Sequence, residues 1–293
     1  MVCRRSSEIS LDMDITPYLK LMVQKNASDL FFTVGAPVKV KIEGTVQSVG
    51  KTLLTGDLVT SAVHGIMDER LKAEFEENLE SDFAIALEDG SARFRVNVFR
   101  QRGEAAMVLR LIPSKIPTID DLGVPEILSD VIQSKRGLIL MVGATGSGKS
   151  TTLAAMINHR NSNMAGHILT IEDPVEFYHP NLKSIINQRE VGVDTMSYAR
   201  ALKASLREAP DVILIGEIRD RVTMEAAMEL ANTGHLAIST LHANNANQAL
   251  DRIIHFFPNE RHEQVWLDLS LNLQAIIAQQ LLPRQDGQGR APA

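Results

Sequence analysis

Residues 143–150 read GATGSGKS, filling every fixed position of the pattern G-x-x-x-x-G-K-[ST]. Gly143, Gly146 and Gly148 let a backbone bend so that successive N–H groups converge on phosphate oxygens. Ala144, Thr145, Ser147 and Thr151 complete the candidate cradle. Lys149 has the reach for β- and γ-phosphates, and the Ser150 hydroxyl suits Mg²⁺. A helix starting here would add the partial positive charge of its N-terminus. A glycine-rich turn without a ligand is the alternative. The apolar run before the motif and the helical pattern after it favour the phosphate reading.

A triphosphate site also needs groups that position Mg²⁺ and a nucleophile. In an open parallel sheet, ligands bind outside the carboxyl ends of the strands. Polar residues that terminate strands are therefore the candidates. DVILIGEI (211–218) ends in Gly216-Glu217, and Glu217 is expected to hold the Mg²⁺ shell through a water. Asp211 begins that strand, at the opposite edge, and is expected to cap or end the preceding loop. HILTIEDPVEF (167–177) places Glu172, Asp173 and Glu176 within five positions. Pro174 is expected to end the strand and turn Glu176 toward a water in line with the γ-phosphate. Glu172 and Asp173 lie nearer the sheet, where they would orient metal-bound waters. A helix-capping or turn role for Asp173 is equally open. His242 ends a fourth strand, as a γ-phosphate sensor, a bridge between subunits, or a hydrogen-bonded structural residue. The other histidines show no metal-ligand spacing.

The elements that must position these residues follow from the pattern of apolar side chains. The chain has 293 residues, enough for about two domains. Residues 14–112 are expected to form an α+β domain, with period-two alternation in LFFTV and VKVKIEG and helical spacing over 57–79. Three strands joined by turns at Asp89-Gly90 and Arg102-Gly103 complete it. The proline-bearing stretch 113–124 reads as a linker. From 125 to 293, apolar runs of strand length (GLILMVGA, HILTIED, DVILIGE, HLAISTLH) alternate with helices at 149–160, 197–208 and 221–232. Their near-continuous hydrophobicity predicts burial on both faces and a mostly parallel sheet with flanking helices, an α/β architecture. Residues 259–282 read as one more long helix or helix pair, followed by a polar tail.

Composition narrows the function classes. The net charge of −6 provides no field for non-specific nucleic-acid binding, and aromatics at 4% leave few stacking platforms. Cys3 is the sole cysteine, so no internal disulfide forms. No apolar run approaches the ~18 residues of a membrane span. Residues 1–13 carry two arginines but no apolar stretch behind them, so they read as a polar extension rather than a secretory signal.

These four elements in this order resemble the secretion ATPases of the type II/type IV pilus superfamily. Within it, the chain resembles the type IV pilus retraction ATPases of the PilT/PilU family. The segments that carry the resemblance are SDLFFTVGAPVKVKIEG, RFRVNVFRQR, GATGSGKSTTLAAMI, HILTIEDPVEF, REAPDVILIGEIRD, TGHLAISTLHANNANQALDRIIHFFP and VWLDLSLNLQAIIAQQLLP, spanning about residues 14–285. The wording HANNANQAL…HFFP places it on the PilU-like side.

The resemblance implies a RecA-like P-loop NTPase domain preceded by a PAS-like α+β domain. It implies a Walker A motif at Gly143–Ser150, an Asp box at Ile171–Phe177, a Walker B motif at Asp211–Glu217 and a His box around His242. Glu176 then matches the catalytic glutamate. The family also uses N-terminal-domain arginines that act on a neighbour's γ-phosphate. Arg93 and Arg95 share a strand face opposite Phe94, Val96 and Val98, and Arg110 lies on the next strand. A solvated strand face is the alternative for that pair. Arg219 follows Glu217 as a further site-lining candidate.

The implied activity is Mg²⁺-dependent ATP hydrolysis in a homo-hexameric ring that powers pilus retraction and twitching motility. The implied location is cytoplasmic, peripheral at the inner membrane. Implied partners are a PilT-like paralogue and an inner-membrane pilus platform protein, with no nucleic acid. A nucleotide-binding accessory subunit working with a PilT-like motor is the alternative, and a nucleic-acid motor is disfavoured by charge. Family members continue into a helical C-terminal region, expected to be truncated in a chain ending GQGRAPA.

Overall fold

The computed structural model describes residues 13–113, 115–284 and 290–293. The polar extension expected at the N-terminus lies outside them, apart from Met13, as does Ser114 of the expected linker. The chain divides into two compact units, before and after Ser114.

The first unit is built on an antiparallel sheet. Helix α1 (Thr16–Lys25) leads into β1 (Asp29–Thr33), β2 (Lys39–Ile42) and β3 (Thr45–Ser48). Glu43 and Gly44 both have positive φ, 47° and 80°, as a two-residue hairpin turn of matching twist requires. Helices α2 (Gly56–His64) and α3 (Glu69–Asn78) follow, then β4 (Glu80–Ala86), β5 (Arg93–Gln101) and β6 (Glu104–Ile112). The single helical pattern over 57–79 is thus two helices. The break falls before Asp68, whose carboxylate accepts the Leu71 N–H at 2.8 Å and starts α3 afresh.

The strand order is β3-β2-β1-β6-β5-β4. One face buries Phe94, Val96, Val98, Met107 and Leu109 against the helices, while Arg93, Arg95 and Arg110 are exposed. Arg95 and Arg110 stand directly opposite in the β5–β6 register. Like charges so placed repel. Arg110 is offset by Asp29, whose side chain is only 6% exposed and accepts from Nε at 2.8 Å.

The second unit opens with α4 (Ile119–Leu122) inside the stretch expected as linker. Thr118 and Asp121 form a reciprocal capping box there, and Ile119 enters the second unit's core. Next come α5 (Ile127–Ile132), β7 (Gly137–Val142), α6 (Lys149–Asn163), β8 (Gly166–Glu172), β9 (Ser184–Glu190), α7 (Tyr198–Ser205) and β10 (Val212–Ile215). The chain continues through α8 (Arg221–Asn232), β11 (Leu236–Leu241), α9 (Ala246–His255), α10 (His262–Asn272), β12 (Leu273–Ala278), β13 (Leu281–Pro283) and β14 (Arg290–Pro292). Six strands make one sheet in the order β12-β7-β11-β10-β8-β9, and every pairing is parallel.

Alternate residues of the central strands feed opposite cores. Leu138, Leu140, Val142, Leu169, Ile171, Ile213 and Ile215 face α7 to α10. Ile139, Met141, Ile168, Val212 and Leu214 face α4 to α6. Burial on both faces is the reason these strands are continuously apolar.

One sequence expectation is corrected. Residues 259–282 are not a helix pair: the helix stops at Asn272 and the chain enters β12. Leu273–Ala278 supplies partners for the outer edge of β7, which helix packing could not provide. The tail also gains a short strand, β14, paired with β13.

The turn between β8 and β9 is stapled to α6. Asn161 is fully buried; its Nδ2 donates to the Pro180 carbonyl at 2.7 Å and its Oδ1 accepts the Leu182 N–H at 3.2 Å. Its own carbonyl accepts the Lys183 N–H at 2.9 Å. Asn161→Ala strands the side-chain partners, at a cost of about 1–3 kcal/mol. A thermal melt is expected to shift down by several degrees, and an unchanged melting temperature would show that the staple is not used.

Candidate functional site

Register brings four strand ends to one rim. Ile171 pairs with Ile215, Ile215 with Ser239, and Leu241 with Val142. The residues just beyond β8, β10, β11 and β7 are therefore neighbours. They are Asp173, Gly216-Glu217, His242 and the loop beginning at Gly143.

The loop leaves β7 at Gly143 and enters α6 at Lys149. Gly146 and Gly148 sit at φ 76° and 86°, a region costly for any side chain. No side chain caps the helix, so its first N–H groups face the loop's concavity. The Ser147 hydroxyl is buried and has no partner among the described residues. Lys149 Nζ donates to the carbonyls of Gly143 at 2.8 Å and Ala144 at 3.0 Å. Burial pushes its pKa down, and the Glu217 carboxylate pulls the other way. Glycine backbone, uncapped helix, orphan hydroxyl and half-buried ammonium together suit an anion with several oxygens. Ser150 and Thr151 lie at the start of the same helix.

Glu217 is the hub of the rim. Its side chain is 16% exposed. One oxygen faces His242 Nε2 at 3.0 Å and the other accepts from Arg219 Nε at 2.7 Å. Arg219 also approaches Asp173 at 3.8 Å. The backbone beneath is rigid: the Gly216 N–H donates to Ile171, and Thr240 Oγ1 donates to the Gly216 carbonyl at 2.6 Å. A Cβ at Gly216 would stand 2.8 Å from the Tyr198 hydroxyl, so only glycine lets that phenol close over the strand end. Burial, reinforced by Asp173, raises the Tyr198 pKa, so the phenol stays protonated.

The acidic turn divides its carboxylates by environment. Glu172, the last residue of β8, accepts from Thr170 Oγ1 at 2.6 Å and from Gln188 Nε2 at 3.3 Å. Burial raises its pKa despite those bonds. The Asp173–Pro174 bond is cis, Val175 is buried, and Glu176 is exposed. The Val175 N–H donates to Glu190 at 3.1 Å, and Gln188 holds the Phe177 carbonyl at 2.8 Å and the His179 N–H at 2.8 Å. His179 itself is buried and kept neutral, its pKa lowered to about 4 by desolvation. Strand β9 thus carries the clamps for the turn that presents Glu176.

Sequence reasoning located the loop, Glu217, His242 and the acidic turn, and the sheet brings them together. Asp211 lies at the far edge, where its carboxylate accepts the His167 N–H at 2.8 Å. Arg93, Arg95 and Arg110 belong to the other unit. Tyr198, Gln188 and Gln279 were missed. Gln188 sits in SIINQRE, whose side chains alternate inward and outward at its start, a weak strand signal that was available. Nothing local marks Tyr198 or Gln279.

Among the described residues, no group of three or more His, Cys, Asp or Glu could hold a metal by protein ligands alone. No described helix is long and apolar enough to cross a membrane.

Comparison with known proteins agrees with this geometry. The family model described as "Type II/IV secretion system protein" matches residues 5–291. The type IV pilus ATPase PilU of Pseudomonas aeruginosa is 55% identical over 278 residues, covering 95% of this chain and 72% of that protein. The type IV pilus retraction ATPase PilT of the same organism is 44% identical over 281 residues, covering 96% and 81%. The crystal structure of the pilus retraction motor PilT with bound ADP superposes with a TM-score of 0.91 at 45% identity, covering 96% of this chain and 82% of that one. With its glycine-rich GATGSGKS loop and three acid- or histidine-bearing strand ends on one sheet rim, the chain belongs to the type II/IV secretion system protein family, as a PilU-like member of its pilus ATPases.

Proposed function

We propose that this chain hydrolyses Mg²⁺-ATP in a hexameric ring that drives type IV pilus retraction. The observation that carries the reading is the convergence of the Gly143–Ser150 loop, the Glu217–His242 pair and the Glu176 turn on one rim of a parallel sheet. The loop amides and Lys149 hold the β- and γ-phosphates. Ser150 and, through water, Glu217 would hold Mg²⁺, with Glu172 and Asp173 behind them. The ion would offset charge on the phosphates.

Glu176 accepts a proton from water as its oxygen attacks the γ-phosphorus. The bond to the β-phosphate oxygen breaks, and ADP and phosphate leave. An exposed carboxylate on a clamped turn suits that task, whereas Glu172, hydrogen-bonded and biased toward its neutral form, suits support. His242, held against Glu217, would sense the γ-phosphate or bridge two subunits. Arg93, Arg95 or Arg110, exposed on one sheet face, would act on a neighbouring subunit's γ-phosphate. The first unit is read as PAS-like, the second as RecA-like. The protein works in the cytoplasm at the inner membrane, against a pilus platform protein and with a PilT-like paralogue as co-motor.

Lys149→Ala is expected to abolish ATP binding. Glu176→Gln is expected to bind ATP with near-normal affinity and turn it over at least ~100-fold more slowly. Calorimetric titration and phosphate release with Mg²⁺ read the two effects. Normal turnover in Glu176→Gln removes that residue from the base role. Binding without turnover in the unmodified protein would instead favour an accessory subunit.

Arginines supplied between subunits contribute about 10³–10⁵ in rate. Specific activity should therefore fall steeply on dilution below the ring's assembly range. A flat profile down to monomer refutes shared sites.

A further inference from the structure

Gln279 follows the last residue of β12 and lies against the phosphate loop, 8% exposed. Its backbone N–H donates to the Val142 carbonyl at 2.9 Å. Its side-chain Nε2 donates to the Ser147 carbonyl at 2.9 Å, and its Oε1 accepts from Thr152 Oγ1 at 2.8 Å. These three points are the end of β7, the middle of the loop and the first turn of α6. One residue from a distant part of the chain therefore ties both ends and the centre of the loop.

Two loop glycines are explained by this contact. A Cβ on Gly148 would stand 2.8 Å from Gln279 Nε2, and one on Gly143 would overlap the Gln279 carbonyl and the Ser147 hydroxyl. Glycine here serves close approach as well as turning. The bond to the Ser147 carbonyl also has a directional consequence. In a trans peptide the C=O and the following N–H point in opposite directions. Holding the Ser147 carbonyl toward Gln279 therefore holds the Gly148 N–H away from it.

We propose that Gln279 is a positioning residue for nucleotide binding, fixing the loop peptides so that their N–H groups stay converged on phosphate. It touches neither substrate nor reacting atoms and acts through Ser147 and Thr152. The inference rests on the reading of Gly143–Ser150 as a triphosphate cradle. Without Gln279 the loop samples other peptide orientations, and binding must select the converged one.

The test compares the unmodified protein, Lys149→Ala, Gln279→Met and Thr152→Val. Methionine keeps the volume and removes both side-chain hydrogen bonds. Binding of ADP and of a non-hydrolysable ATP analogue is measured by calorimetry, and kcat and KM by phosphate release. Gln279→Met is expected to raise Kd and KM about tenfold and to leave kcat within about threefold, since ground and transition states lose the same anchor. Thr152→Val frees the carboxamide on one side and is expected to raise Kd less, in the same direction. The double variant should be no worse than Gln279→Met alone.

A purely structural role lowers the melting temperature of Gln279→Met but leaves the Kd of the folded protein within twofold, and that result overturns the proposal. Should Gln279→Met fail to fold, an unchanged Kd in Thr152→Val overturns it equally. If the unmodified protein and Lys149→Ala bind nucleotide alike, it is the cradle reading that fails. Loss in Lys149→Ala with no change in the Gln279 and Thr152 variants removes Gln279 alone.

Discussion

Parallel pairing between β7, β11, β10 and β8 is the constraint on which the rest depends. Parallel hydrogen bonding sets all four strands running the same way and aligns their ends to within a residue or two. Every residue placed just past a strand therefore arrives at the same rim. The loop after Val142, Glu217 after Gly216, His242 after Leu241 and the acids after Ile171 need no further device to meet. The start of α6, which no side chain caps, follows directly on the loop at that rim.

Concentrating charge there has consequences that the local chemistry handles in alternation. Lys149, Glu217, Arg219 and Asp173 run along the rim with alternating signs, each near an opposite partner, and His242 Nε2 lies 3.0 Å from Glu217. Glu172, desolvated at the strand end, is instead biased toward its neutral form. Of two carboxylates four residues apart, one is desolvated at the strand end and the other is exposed.

The supports come from elements that are themselves marginal in sequence. Strands β9 and β12 close the two edges of the sheet. β9 clamps the acidic turn through Gln188 and Glu190, and the residue after β12 clamps the phosphate loop. An edge strand has one partner and half-exposed side chains, so its composition drifts toward polar and small residues. SIINQRE lacks the continuous apolar signal of the central strands, and LQAIIA, though apolar, follows directly on the helical pattern of α10 and reads as its continuation. The edges of the sheet are structurally humble and chemically consequential.

What the amino-acid order determined alone was everything with a local cause. Four central strands were legible because burial on both faces demands unbroken apolar runs. The phosphate loop was legible because converging amides demand glycine at set intervals. The placement of Glu217 and His242 just past strand ends was legible because they follow such runs. What only tertiary structure decided was which distant residues stand beneath them. Gln279 lies more than 120 residues from the loop that it holds, and Tyr198 reaches Gly216 through a gap that a missing Cβ leaves open. The helical spacing up to Asn272 gave no warning that the next six residues would leave the helix, because the vacant edge of β7 is a long-range hydrogen-bonding demand. Periodicity reports the environment of one segment, whereas pairing depends on which other backbone is left without partners.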